Sequence, residues 1–152
     1  MPTIILMLIG GSPGSTAGGI KTTTMAVLVA AAISVFQRNE NPELFRRRIA
    51  QETVADAAAI LMMYLSLCLT GALLISRLEQ LPMMACLFET ASAVGTVGLS
   101  FGITPGLGTA SRIILIILMY LGRVGGLTLI YAALSGHRIR FGKYPLEKIT
   151  VG

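Results

Sequence analysis

The sequence predicts an all-α membrane protein in which transmembrane helices flank a short re-entrant pore helix and a glycine-punctuated loop. Three observations predict it. The 152 residues are 54% hydrophobic and 12% charged, with a mean hydropathy of +0.78; soluble domains average about 25% charged residues. Ala57 to Ser76 runs for 20 residues without a charge, long enough to cross a bilayer. Met83 to Val94 is apolar but too short to cross, and Gly95 to Gly102 after it holds three glycines among eight residues. At ~20 residues per span, the chain has room for a few helices and little else.

Other classes fall away on the same grounds. A net charge of +5 invites nucleic acid, but the positive residues sit in two clusters beside apolar runs and not along one solvated face. Cys68 and Cys86 lie inside apolar segments without CxxC or Cys/His spacing; they read as packed apolar residues, not as a disulfide or a metal site. Met1-Pro2-Thr3 leads straight into an apolar run with no basic stretch or cleavage site, so no secretory signal is expected. There is no Ser/His/Asp set and no pair of catalytic carboxylates; neither an enzyme nor a cofactor is expected.

In chain order, Thr3 to Phe36 comes first. Two apolar runs, Thr3–Ile9 and Met25–Phe36, enclose a stretch with Gly10, Gly11, Pro13, Gly14, Gly18 and Gly19, then Lys21 and three threonines. Glycine costs a helix about 1 kcal/mol and proline about 3, so two half-helices broken by an irregular loop are expected. Such backbone at membrane depth must be buried in protein or line a water-filled cavity. Lys21 either screens cations or snorkels towards an interface. Gln37 to Glu52 is polar, with Arg38 and the run Arg46-Arg47-Arg48. Pro42 should open a short helix at Glu43, and the arginine run reads as a topology anchor near anionic lipid or a contact for a cytosolic partner. Ala57–Ser76 is the membrane helix, and 77–82 is a short outer turn ending at Pro82, which suits a helix start. Ile103 to Thr109 is loop, Ser111 to Leu134 is the last span, interrupted by Arg123, and Ser135 to Gly152 is a basic tail. His137, alone in that tail, is assigned no role.

Charge sets the expected orientation. The 37–52 loop and the tail each carry four Lys or Arg, the 77–82 turn carries one, and 99–111 carries none. The positive-inside rule then puts loop and tail, and with them the C-terminus, in the cytoplasm. The stretch 83–102 must enter and leave on the outer side.

The unit from Glu52 to Leu134 is therefore helix, short helix, glycine-rich loop, helix, the plan of an ion-channel pore loop. The carbonyls of Thr96, Val97 and Gly98 can replace water around a dehydrated cation, although such a filter needs about four loops around an axis. A re-entrant loop without a filter role has the same pattern. Gly14-Ser-Thr-Ala-Gly-Gly19-Ile-Lys21-Thr22 approaches a phosphate-binding P-loop, but Ile20 spoils the spacing and no strand ending in Asp follows. Arg123 lies mid-span, where an arginine costs ~2.5–3.5 kcal/mol on insertion scales; it should face the bundle interior, either tying helices together or hydrogen-bonding the carbonyl-rich Gly10–Gly19 loop. Glu89 either hydrogen-bonds loop backbone or places charge near the filter.

The run Glu89-Thr-Ala-Ser-Ala-Val-Gly-Thr-Val-Gly-Leu-Ser100 resembles the fourth pore loop of the Trk/Ktr/HKT potassium-transporter superfamily, closest to its bacterial Ktr-type and TrkH-type membrane subunits. Ile9-Gly-Gly-Ser-Pro-Gly-Ser-Thr-Ala-Gly-Gly-Ile-Lys-Thr-Thr-Thr24 resembles the broken second helix of its third repeat. Tyr120-Leu-Gly-Arg-Val-Gly-Gly-Leu-Thr-Leu129 resembles the second helix of its fourth repeat, and the tail Tyr144–Gly152 fits the family's cytoplasmic end. The resemblance implies four parts: residues 1–36, the broken helix with an intramembrane gate loop; 37–52, a cytoplasmic loop; 53–136, the fourth helix–pore loop–helix repeat; and 137–152, a cytoplasmic tail. It implies that Gly98 is the filter glycine, with Thr96 and Val97 supplying carbonyls, and that Gly10, Gly11, Gly14, Ser15, Thr16, Gly18 and Gly19 form the gate, contacted by Arg123. It further implies potassium as the transported ion, a multi-pass protein of the plasma (cell or inner) membrane in contact with lipid, a homodimer of full-length subunits, and a cytosolic nucleotide-binding regulatory subunit. The matched pieces make this chain, by resemblance, the C-terminal portion of a longer subunit. The competing expectation is a secondary transporter of another small solute, held at the break between the half-helices.

Overall fold

A computed structural model describes residues 2–12, 14, 15, 18–37, 43, 44 and 47–125. The elements are α1 (Pro2–Leu8), α2 (Thr22–Phe36), β1 (Glu43–Leu44), β2 (Arg47–Arg48), α3 (Gln51–Glu79), α4 (Met83–Gly95), a 3₁₀ turn (Thr104–Gly106) and α5 (Thr109–Val124). The fold is all-helical as expected, apart from a minute antiparallel ladder pairing Glu43 with Arg48 and Leu44 with Arg47.

That ladder corrects the short helix expected at Glu43. A helix nucleus fixes several residues for one hydrogen bond, and three consecutive arginines add repulsion to it. The broken first segment takes the expected form: α1 stops at Leu8 and α2 begins at Thr22, with Lys21 extended at its N-cap.

α3 is 29 residues long, or about 44 Å at 1.5 Å per residue. Its inner face carries Ala57, Ile60, Tyr64, Cys68, Gly71, Ala72 and Ile75, all buried. Its outer face is apolar too, with Met62, Leu69, Leu73, Leu74 and Leu78 exposed. A helix apolar all round belongs in a membrane or a large core, and among the described residues α3 is the one helix long and apolar enough to cross a bilayer. It runs through Arg77 and Leu78 to Glu79, where Gln80 turns left-handed (φ 52°). The turn expected at 77–82 thus shrinks to three residues, because that sequence holds no helix breaker before Pro82.

α4 has 13 residues, about 20 Å, too short to cross. Every residue from Glu89 to Gly95 is buried, because α4 packs against α3, α5 and α1 together. Such an all-round fit needs small residues, and Ala91, Ser92, Ala93 and Gly95 supply them. Gly71 serves the same end on α3: a Cβ there would lie 2.6 Å from Leu118 and 3.3 Å from Thr90.

α5 ends at Val124, where Gly125 adopts φ 90°. Gly125 takes a conformation that costs glycine no steric strain, and the part of the expected Ser111–Leu134 span beyond it is not among the described residues. Residues 126–134, the basic tail and His137 lie outside the described residues.

Candidate functional site

Two irregular stretches meet at the buried end of α4. The first is the loop after it. Thr96 closes α4 in the left-handed region (φ 53°, ψ 37°). Its N–H donates to Ala93 O at 3.2 Å, and the N–H of Val97 donates to Ser92 O at 3.0 Å, the paired bonds of a Schellman cap. Gly98 follows at φ 83°. Val97, Gly98 and Leu99 are exposed and Thr96 is half-buried.

Beyond it the chain is fastened to Glu89, which is buried on α4. Oε1 of Glu89 accepts from Ser100 Oγ at 2.6 Å and from the N–H of Phe101 at 2.9 Å; Oε2 accepts from Thr104 Oγ1 at 3.0 Å. The Phe101 ring stands edge-on to Phe88, centroids 5.4 Å apart. Of the two roles open to Glu89, the geometry displays backbone support.

The second stretch joins α1 to α2. The N–H of Gly10 donates to Ile20 O at 2.6 Å, that of Ile20 to Leu8 O at 3.0 Å, and that of Thr22 to Gly11 O at 3.3 Å. The loop thereby closes on itself, and Ile20 at its end is part of the core. Gly14 and Gly19 take φ 85° and 77°. Lys21 turns back over the loop, its Nζ 3.4 Å from Ser15 O. Gly18 and Gly19 are buried under the first stretch: Gly18 N–H donates to Thr96 Oγ1 at 2.8 Å, and a Cβ on Gly19 would lie 3.3 Å from Gly95 Cα. Thr16, named with this loop from sequence, lies outside the described residues.

Arg123 is exposed on α5 and makes no hydrogen bond or ion pair with another described residue. It lines a cleft of about 650 Å³ with Glu89, Thr96, Gly98, Leu115 and Met119. Among the described residues, what meets the Gly10–Gly19 loop on α5 is the preceding residue: a Cβ on Gly18 would lie 2.9 Å from Gly122 O. A second cleft, about 530 Å³, opens on the other side of Thr96 and Val97 and reaches Gly10 and Gly11. Among the described residues no three His, Cys, Asp or Glu side chains gather to hold a metal.

Sequence reasoning missed three contacts. The Tyr64 hydroxyl, buried in α3, donates to Gly122 O at 3.3 Å; a lone phenol inside an apolar span was the available signal, since such a group needs a partner. Glu79 Oε1 accepts from Gly108 N–H at 2.8 Å and Ser111 Oγ at 2.6 Å, clipping α3 to the start of α5. The bond from Gly18 to Thr96 spans 78 residues, and no local pattern announces it.

An apolar helix bundle with a helix long enough to cross a bilayer and two glycine-rich breaks belongs to the class of helical membrane proteins. Residues 2–138 match the TrkH family, described as a cation transport protein, and the chain belongs to that family. It is 40% identical over 156 residues to the potassium/sodium uptake protein NtpJ of Enterococcus hirae, covering 99% of this chain and 35% of that one. It is 38% identical to the Ktr system potassium uptake protein B of Bacillus subtilis (99% and 34% covered) and 35% identical to the protein of the same name from Vibrio alginolyticus (98% and 32%). The chain spans about a third of the length of these curated relatives.

Proposed function

We propose that these residues form one wall of the cation pathway in a potassium uptake subunit: the fourth pore loop, with carbonyls at Thr96, Val97 and Gly98, and beneath it the gate loop Gly10–Gly19. The observation that carries this reading is the exposed stretch Val97–Gly98 that follows half-buried Thr96 at the end of a short buried helix. The C-terminal end of a helix carries a partial negative charge that favours a cation, and α4 aims that end at these residues. Relatives named for potassium uptake support the ion. α4 then enters and leaves on the outer side as a re-entrant helix, and α3 runs outward from a cytoplasmic 37–52 loop. The backbone pairing between Gly10, Ile20 and Leu8 uses groups that a solute bound between the half-helices would need, which favours the pore over the carrier.

Arg123 faces the cleft beside Thr96, and in this reading it restrains the gate loop from α5. Two relatives are named as parts of Ktr systems. Those names support a subunit that works with further components; in this reading they are a second copy of itself and a cytosolic nucleotide-binding regulator, as the family resemblance implies. The test is rubidium and sodium uptake by the intact transport subunit in cells. Gly98→Ser should reduce the preference for rubidium over sodium; a preserved preference removes Gly98 from the filter. Arg123→Gln should raise basal uptake, and unchanged uptake would count against its hold on the gate.

A further inference from the structure

The bond between the two stretches carries more than packing. Thr96 is β-branched and sits at φ 53°, a conformation such residues seldom adopt. A glycine or asparagine would close α4 there with less strain. Strain of this kind persists where the surroundings over-determine it, and it is a pointer to function. What distinguishes Thr96 from glycine is its side chain, and that side chain is spent on the other loop. Its Oγ1 accepts the Gly18 N–H at 2.8 Å. Gly18 itself is wedged: a Cβ would lie 2.7 Å from both Oγ1 and Cγ2 of Thr96 and 2.9 Å from Gly122 O. That carbonyl is held from behind by the Tyr64 hydroxyl. The lower loop cannot leave its seat without stripping the Thr96 hydroxyl of its Gly18 donor.

We infer that the Thr96 hydroxyl is the latch coupling the filter to the gate loop, so that cation occupancy above and loop seating below bias each other. The inference rests on the filter reading proposed for Thr96–Gly98 and adds the residue through which it acts on the gate. An ion drawing the carbonyls of 96–98 inward stabilises the left-handed turn at Thr96, and with it the acceptor that Gly18 needs. Linkage makes the coupling equal in both directions. Thr96 is in this respect a positioning residue.

The test uses the intact subunit in membranes, with exposed cysteines elsewhere replaced and Ser15→Cys placed on the loop, where Ser15 is exposed. Cys68 and Cys86 are buried. The rate of methanethiosulfonate labelling is measured in potassium and in choline. With Thr96 present, labelling should be about fivefold slower in potassium. Thr96→Ser keeps the acceptor and should keep that difference. Thr96→Val keeps the shape but removes the acceptor, and should bring the difference below about twofold. Thr96→Gly takes the left-handed turn freely and also lacks the acceptor, so it reads the same loss even if the valine form does not fold. The latch is overturned if the valine and glycine forms retain the potassium dependence, if serine loses it with them, or if labelling never depends on potassium. The filter reading beneath it is judged separately: unchanged rubidium preference in Gly98→Ser overturns that reading, in an assay blind to the loop.

Discussion

The two glycine-rich breaks look alike in sequence and are held by opposite means. The loop between α1 and α2 closes on itself by main chain to main chain, through Gly10, Ile20, Leu8, Gly11 and Thr22, takes one outside bond at Thr96 Oγ1, and fits because side chains are missing at Gly18 and Gly19. The stretch from Ser100 to Thr104 is fastened by one side chain, the carboxylate of Glu89, which accepts all three of its bonds from that stretch. One break depends on absent Cβ atoms, the other on a single present carboxylate. A glycine cluster therefore marks irregular backbone without saying what holds it, and the two loops should fail under different substitutions.

The largest effect is expected at Glu89. Hydrogen bonds to a charged group contribute about 1.5–3 kcal/mol each and are not additive when shared. Glu89→Ala removes the acceptor of three bonds, two of them from exposed residues that water can serve, and should cost about 3 kcal/mol, with loss of rubidium preference because the chain just beyond Gly98 comes adrift. Glu89→Gln keeps one acceptor oxygen and should cost about 1–3 kcal/mol. Thermal unfolding of the purified subunit and rubidium/sodium uptake measure the two parts. Wild-type melting in the alanine form would show that Ser100 and Thr104 hold this stretch without Glu89.

The gate loop should break in the opposite way, by addition. At Gly19 a new Cβ meets both strain (φ 77°) and crowding, 3.1 Å from Leu8 O and 3.3 Å from Gly95 Cα. At Gly14 it meets strain alone (φ 85°), with nothing within 4 Å. Gly14→Ala should cost about 1 kcal/mol and Gly19→Ala about 2–3. The gap between them isolates the close approach of loop to α4. Equal melting of the two forms would mean that the loop does not seat against Gly95.

Much of this arrangement is legible in the sequence, because it follows from composition along short windows. The apolar run 57–76 marks α3, the short, mostly apolar run 83–94 marks α4, and the glycines at 10–19 and 95–102 mark the breaks. What is not legible depends on residues brought together by packing. Gly18 and Thr96 are 78 positions apart and Tyr64 and Gly122 are 58; neither pair has a local signature. Element ends slipped for a related reason. Charges at Arg77 and Glu79 suggested that α3 was over, yet charges do not break a helix that is leaving the apolar layer.

The smallest effect should come from the clip at the far end of α3, and its smallness is informative. Glu79 Oε1 alone accepts both the Gly108 N–H and the Ser111 hydroxyl. Glu79→Gln keeps that oxygen and removes the charge, weakening its two bonds and losing the attraction to Arg112 and to the N-terminal end of α5, all at a solvent-accessible site. Melting should fall by less than in Gly14→Ala. Ion preference should not move, since Glu79 reaches α5 through Gly108 and Ser111 and takes no part in the Glu89 bonds that fasten Ser100–Thr104. Both carboxylates tie helix to loop by charge-assisted bonds; only one of them ties the stretch next to Gly98. If Glu79→Gln altered the rubidium/sodium ratio as Glu89→Gln does, the hold on the filter would extend to the helix ends, and the contrast between a local clamp and a distant clip would be lost.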